Sequence, residues 1–555
     1  MRHKRLLFLF LLPAWMVFAT QAWAVQSAPT DVQAAPGDES AAVSFDAPIG
    51  DNGSIITGYT VASNPSGGVD SNAGSTALIH VVTGLTNGQA YTFTVTATNS
   101  SDETSSASSA SNSVTPSTTP CSELAGQWNI GAIMSGQDAP VAEACKMTVN
   151  QDGTTSGSCT VNGGSSESLS GNMWLFPDGA RPTLTERAGI PQPLIDWLCQ
   201  PNASGTVIAC TATVNDDSGS SYMSVGTKQG ASYFVNDLLG QWVFAGLDIG
   251  STYADWDEGN VNVASNGSFF ATITKSNGDS QSATGALPVG SNGLVSMDCT
   301  SGCSGSTLLG YLDAGKTVIA GLNPYYSGSI LQDAELQVVV KQGQGGSYSM
   351  ADLAGEWISN ELRSDGRWRR MVIQVNGDGS YTDSEVYSDG TTSTQSGMLA
   401  LSSDGLLSCA QNQPAGSGCS DINLVMDASK SVLTGVQTHS SGSVFDIQVV
   451  TKTGSLWQNA TDLGGGWKRL KWFGDFYVDN SSWIYHNHLG WLYPYGTSTD
   501  SIWFYDPAMG AFWWTSASTY PYLYRASDGA WLFYEEGSSN PRWFYNFNTK
   551  SWEKH

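Results

Sequence analysis

The sequence carries little charge and very few basic residues. Only 13% of its 555 residues are charged, and 23 Lys and Arg stand against 49 Asp and Glu, a formal charge of −26. Such a balance argues against nucleic acid and anionic membranes as partners, because both present negative charge. Histidine is scarce as well, with six in the chain. No Gly-x-Ser-x-Gly elbow, His-Glu-x-x-His helix or Walker loop occurs, so no catalytic residue, cofactor or metal is expected. The nine cysteines form no Cys-x-x-Cys pair and have no histidine partners, which argues against zinc. Long apolar runs are missing too. Leu6 to Phe18 is the most apolar stretch, and it is too short to span a bilayer.

What is present points outward from the cell. Arg2, Lys4 and Arg5 precede the apolar run, and Ala22-Trp23-Ala24 follows it as a cleavage site. Residues 1–24 therefore read as a signal peptide, and the mature protein as secreted or on a bacterial cell surface. Ser, Thr, Gly and Asn are abundant, as many short strands and tight turns require. The expected fold class is all-β, in several domains.

Export makes disulfides plausible. Cys145 and Cys159 flank the turn Asn150-Gln151-Asp152-Gly153 symmetrically, and Cys199 and Cys210 flank Asn202-Ala203-Ser204-Gly205 in the same way. Cys299/Cys303 and Cys409/Cys419 are further local pairs, which leaves Cys121 free.

Residues 28–117 carry Ala28-Pro29-Thr30-Asp31-Val32, Val43-Ser44-Phe45, Ile56-Thr57-Gly58-Tyr59-Thr60-Val61 and the run Gly84 to Asn99. Tyr91, Phe93, Val95 and Ala97 alternate as in a half-buried strand. This segment resembles a fibronectin type III domain. The resemblance implies a β-sandwich with a tyrosine corner at Leu85 to Tyr91, and Phe45 where the family usually has a core Trp. No Arg-Gly-Asp occurs, so integrin-type binding is not implied. A Ser/Thr/Pro linker, Thr115 to Pro120, follows.

Three copies of one unit come next, at 122–235, 236–350 and 351–460. Each opens on Leu-x-Gly-x-Trp: Leu124/Gly126/Trp128, Leu238/Gly240/Trp242 and Leu353/Gly355/Trp357. Hairpin signals follow at Asp152-Gly153, Asn266-Gly267 and Asp378-Gly379. Then come related turns beginning at Asn202, Asp313 and Asp427, and a closing lysine at 228, 341 or 452. About 110 residues with many turns suits a barrel or sandwich of seven or eight strands. Gly-x-Trp on the first strand and a cation on the last resemble lipocalin-like barrels. That resemblance implies that Lys228, Lys341 and Lys452 lie over Trp128, Trp242 and Trp357.

Residues 461–555 hold ten of the twenty Trp, in aromatic phrases about every twenty residues: Trp483-Ile484-Tyr485, Trp503-Phe504-Tyr505, Tyr522-Leu523-Tyr524 and Trp543-Phe544-Tyr545. Units this short must share a core with their neighbours. The rhythm is similar to the aromatic cell-wall, choline- or glucan-binding repeats of Gram-positive surface proteins. It implies stacked hairpins in a solenoid with ligand cages between them. By position, the candidates are Trp483, Tyr485, Trp491, Trp503, Tyr505, Trp513, Trp531 and Trp543. The same aromatics would equally serve as core packing. His486 and His488 share one strand face but have no third ligand nearby. Asp255-Trp256-Asp257-Glu258 is a carboxylate cluster beside an aromatic, as a glycosidase uses, and also reads as a solvated acidic loop.

These observations favour a non-catalytic protein that binds glycan or a cell-envelope surface through its aromatic tail, with the other domains as spacers. A carrier of small apolar ligands and a secreted glycan-active enzyme are the alternatives. An enzyme of that kind would show a cleft holding a carboxylate of perturbed pKa.

Overall fold

The structure is a computed structural model. It describes residues 27–48, 55–136, 141–184, 194–214, 220–250, 254–302, 309–327, 330–343, 348–411, 413, 419, 422–438, 444–453, 457, 460–464, 466–478, 483–498, 501–517 and 519–555. The expected signal peptide lies outside them. Two compact units result, one containing Glu39–Pro116 and the other Ser117–His555.

The first unit is a β-sandwich. Thr30–Pro36, Ser40–Asp46, Val69–Asp70 and Ile79–Thr83 form one sheet, and Ile56–Asn64 pairs with Thr92–Asn99. The alternation of Tyr91, Phe93, Val95 and Ala97 buries all four. Phe45 is buried against Tyr59, with ring centroids 4.9 Å apart. The Thr86 N–H donates to the Tyr91 hydroxyl at 3.1 Å, which is the expected tyrosine corner.

In the second unit, eight strands from Gly126–Ser135 to Ser221–Lys228 close into a barrel. Eight strands from Gly355–Arg363 to Phe445–Lys452 do the same. Between them, nine strands from Gly240–Gly250 to Ile330–Lys341 form one continuous curled sheet.

The three repeats share their ends. Trp128, Trp242 and Trp357 each lie opposite the closing lysine in register, at 228, 341 and 452. The Lys Nζ atoms sit 5.9, 5.4 and 5.2 Å from the indole centres. Each indole N–H donates to the carbonyl four residues back, at Leu124, Leu238 and Leu353. Each lysine donates to the carbonyl one residue earlier, at Glu123, Asp237 and Asp352. Burial pulls all three lysines below their ordinary pKa. Here the motif's glycine is required. Gly126 has φ +142°, and a Cβ there would lie 2.7 Å from the Lys228 stem.

The barrels are not spacers in a row. Outward side chains of all three join one apolar core, including Ile133, Val207, Leu247, Leu336, Leu362 and Val449. The first and second strands of each repeat pack on the last two strands of the next, and the third repeat closes back onto the first. Interfaces of one unlike pair of surfaces, repeated with closure, make a ring. The turns at 202, 313 and 427 serve this closure. The Ala314 N–H donates to the Lys228 carbonyl and the Ala428 N–H to that of Lys341, at 2.8 and 2.7 Å, and Asn202 donates to Ser431 at 3.0 Å. Strands in the ring are therefore apolar on both faces, as Val338-Val339-Val340 shows.

Three disulfides form as expected: Cys145–Cys159, Cys199–Cys210 and Cys409–Cys419. The first two join directly opposed residues of adjacent strands. Cys299 is disulfide-bonded, and Cys303, its expected partner, lies outside the described residues. Cys121 is free and buried, and burial pushes its thiol up to about 12.

The tail corrects the stacked-hairpin expectation. Eleven strands from Thr461–Gly464 to Ser551–Lys554 pair edge to edge in chain order, a single meander. Its inner face curls over a core of Phe473, Phe476, Leu492, Phe504, Trp513, Leu532 and Phe544. Phe473, in the turn between Trp467–Leu470 and Gly474–Val478, stacks on Phe504 at 5.0 Å across the curl. The curl is pinned by Arg542, which donates to the Leu489 carbonyl at 2.7 Å and to both oxygens of buried Asp506 at 2.6 and 3.0 Å. A sheet of twenty-residue repeats buries its face only by bending round onto itself.

Candidate functional site

Strand alternation places every second tail residue on the outer face. In Trp503-Phe504-Tyr505 the central ring points in and the flanking rings point out. Cross-strand register then lines outward rings into rows that run across the strands. One row is Trp503, Trp514, Tyr524 and Trp531. A second is Tyr522, Phe533, Tyr545 and Trp552. A third is Trp467, Tyr477, Tyr485 and Trp491.

Neighbouring rings support one another. Tyr485–Trp491, Tyr524–Trp531 and Tyr545–Trp552 lie 5.4, 5.7 and 5.6 Å apart, all edge to face. Such contacts hold a ring's orientation without covering both of its faces. Trp491, Trp531 and Trp543 remain 46, 40 and 41% exposed. Tyr485, Phe512, Tyr522 and Trp552 are exposed to a similar degree. A contiguous apolar face of this extent is unusual on a lone soluble domain.

Seven of the eight sequence candidates reach this face. Trp483, Trp503 and Tyr505 are half-buried there, and Tyr485, Trp491, Trp531 and Trp543 are exposed. Trp513 does not reach it. It is fully buried against Phe504 at 4.8 Å, and its indole N–H donates to Asp506 at 3.2 Å. It pairs with Phe504, an inward residue, so parity turns it inward and leaves Trp514 outside. Trp514, Tyr524, Tyr545 and Trp552 belong to the rows and were missed by position alone. The hairpin register from Asp506 to Ala511 is the signal that finds Trp514.

His486 is structural. The His486 Nε2–H donates to the Phe473 carbonyl at 2.7 Å, and Nδ1 accepts the backbone N–H groups of His488 and Leu489. Neither ring nitrogen is left for a metal. Burial lowers this imidazole to about 4.

The first barrel holds a cavity of about 40 Å³ lined by Trp128, Met147, Leu169, Met173, Ile208 and the two disulfides. That is room for about three waters.

Residues 27–112 match the family model of the fibronectin type III domain, so this segment is such a domain. No curated protein matches the chain. Among solved structures, a protein of unknown function of the DUF3598 family from Nostoc punctiforme is 13% identical over 40% of this chain and 97% of its own, with a TM-score of 0.16. The central fibronectin-III array of RIM-binding protein is 12% identical over 35% of this chain and 83% of its own, at 0.15. The FN1–FN3 domains of chicken CNTN1 are 10% identical over 51% of this chain and 98% of their own, also at 0.15. At such scores these likenesses carry no argument, and the functional reading rests on the chain's own residues.

Proposed function

We propose that this is an exported, non-catalytic protein that holds a glycan or cell-envelope surface against the outer aromatic face of its tail. The observation that carries this reading is the exposure of Trp491 and Trp531 within rows of supported rings, with Trp543 exposed as well. Successive strands are about 4.8 Å apart. Rings in a row therefore recur at a step comparable with one hexose of an extended chain lying across the strands. Aromatic faces stack on the apolar faces of sugars, and many weak contacts along a row add through effective concentration. Disulfides, which persist in oxidising compartments, support export. The small volume in the first barrel counts against a carrier of apolar ligands.

The test uses the full chain on a glycan array and in whole-cell pull-downs. A triple variant, Trp491→Ala/Trp531→Ala/Trp543→Ala, is expected to lose retention while melting like the parent. Unchanged retention of the variant would refute the reading.

A further inference from the structure

Charge is spread unevenly along the chain. Residues 461–555 hold nine acidic and seven basic side chains and are nearly neutral, while the whole chain stands at −26. On the outer face of the tail the division is sharper. A fourth row, Trp483, Tyr493, Tyr505 and Phe512, completes the other three. Its Trp483–Tyr493 and Tyr505–Phe512 rings lie 5.4 and 5.1 Å apart. From Tyr485 to Trp552, the outward strand side chains among the described residues are Trp, Tyr or Phe, except Ser516 at a strand end. Charge begins at the margins. The Arg469–Asp475 ion pair stands at one end of the sheet and Lys554, opposite Trp543, at the other. Asp528, Glu536 and Lys550 lie in turns. The polar atoms that the rings bring, phenol hydroxyls and indole N–H groups, carry no charge.

Spacing adds to this. Successive outward rings on one strand, such as Trp503 and Tyr505 or Tyr522 and Tyr524, are two residues apart, about 6.6 Å. The rows therefore lie side by side as one continuous aromatic face. Because the sheet bends across its strands to enclose its core, the rows follow the bend and the face is convex. An anionic polymer would lose hydration here with no cation to pair it, and the chain's negative charge repels it. A quaternary ammonium would find no carboxylate among the rings. Uncharged apolar surface is what such a face stacks against.

We propose, building on the glycan reading, that the ligand is a neutral, β-linked polysaccharide of all-equatorial hexoses, bound as a single hydrated chain along the rows. In such a sugar the hydroxyls lie around the ring's rim, and both ring faces present C–H groups to an aromatic. An axial hydroxyl, as in mannose or galactose, projects from one face and would be buried against carbon without a partner. The β-linkage keeps the chain extended, so successive sugar faces meet successive rings. A single chain also bends with the convex sheet, where a rigid crystal face touches only its crest.

The test is retention of the full chain on swollen amorphous cellulose, microcrystalline cellulose, chitin, β-mannan, a polyuronate and a choline resin, with intact cells alongside. Amorphous cellulose or chitin should hold the chain best. Retention on mannan should be about tenfold weaker, the effect of leaving a buried hydroxyl unpaired. Molar NaCl should change retention by less than about twofold, because no ion pair is there to be screened. The Trp491→Ala/Trp531→Ala/Trp543→Ala chain should lose its hold on cellulose and chitin; if it does not fold, the panel with the parent still decides. Retention on the polyuronate, equal retention on mannan, or preference for the microcrystalline form overturns this ligand class and leaves the glycan reading standing. Failure on every polysaccharide and on cells refutes both. Capture by the choline resin alone overturns the proposal, as does a dimer in solution that Trp531→Ala dissociates, since the face would then join two copies of the chain.

Discussion

The ring of barrels and the aromatic tail are both built from repeats, and they solve burial in opposite ways. A unit of about 110 residues encloses its own core around Trp128, Trp242 or Trp357 and then spends its outer apolar face on its neighbours. A unit of about twenty residues encloses nothing, so the tail's strands pool one inner face and bend it closed. Tryptophan follows this division. In the ring, the motif Trp of each repeat is buried and held by one lysine; in the tail, most lie on the outer face. A repeat that buries its own aromatics leaves little apolar surface for a partner, while a repeat that shares its core leaves alternate aromatics facing out.

The sharpest way to break this contrast is to remove one buried anchor from each region. Trp357→Ala should destabilise the ring by about 3–5 kcal/mol through a lost aromatic and the cavity left behind. Denaturant unfolding of the full chain would register it. Inside the tail, Arg542→Ala strands Asp506 in the interior and should cost about 3–5 kcal/mol. A melt followed by near-UV circular dichroism, where the tail's ten Trp dominate, would show a lower tail transition with the ring unaffected.

Replacing Cys145 and Cys159 by Ala should cost the first barrel about 3 kcal/mol, the value for a closed loop of this length. Denaturation under non-reducing conditions measures it. The tail has no cysteine, and reductant should leave its transition in place.

Acidity should separate the regions by sign. His486 is neutral in the folded tail, with its pKa lowered from 6.5 to about 4. The unfolded chain takes up a proton that the folded chain refuses, so tail stability falls as pH drops from about 6.5 towards 4. Asp248 is raised from 3.8 to about 7, so the folded second barrel holds a proton that the unfolded chain gives up. Its contribution runs the other way, and that barrel loses stability as pH rises from about 4 to 7. Melting curves across this range, each effect amounting to at most about 3–4 kcal/mol, should cross. A parallel pH dependence of both transitions would contradict the assignment of the two groups.

The smallest effect is the control for the whole contrast. Trp531→Ala, on the outer face, should change tail stability by less than about 1 kcal/mol, the worth of a cross-strand pair. A larger loss would mean that the outer rows serve folding, and would weaken their assignment to binding.

Much of this was legible from residue order. The fibronectin type III core at Tyr91, Phe93, Val95 and Ala97 follows from strict alternation, and Trp/Lys pairing in the repeats follows from short motifs at fixed places. Hairpin disulfides follow from cysteines set evenly about a turn. Trp513 was misplaced because a strand with Phe512, Trp513 and Trp514 in succession has no apolar contrast to set its parity, and only pairing with Phe504 decides it. The Asp255 to Glu258 run reads as a solvated loop, yet Asp257 turns into the barrel while Trp256 donates to Thr438 in the next repeat.

By itself, then, the sequence determined the elements: which segments are strands, where they turn, which cysteines meet, and that three units and a short-period tail are repeated. These are local properties, written in alternation, turn residues and spacing within a few tens of residues. Tertiary structure alone decided that the barrels close into a ring, that the tail curls on Arg542 and Asp506, and that Asp257 and Glu335 meet over Gly246. Each of those depends on contacts between strands up to more than a hundred residues apart, whose energy is shared between both partners and leaves no period in either one.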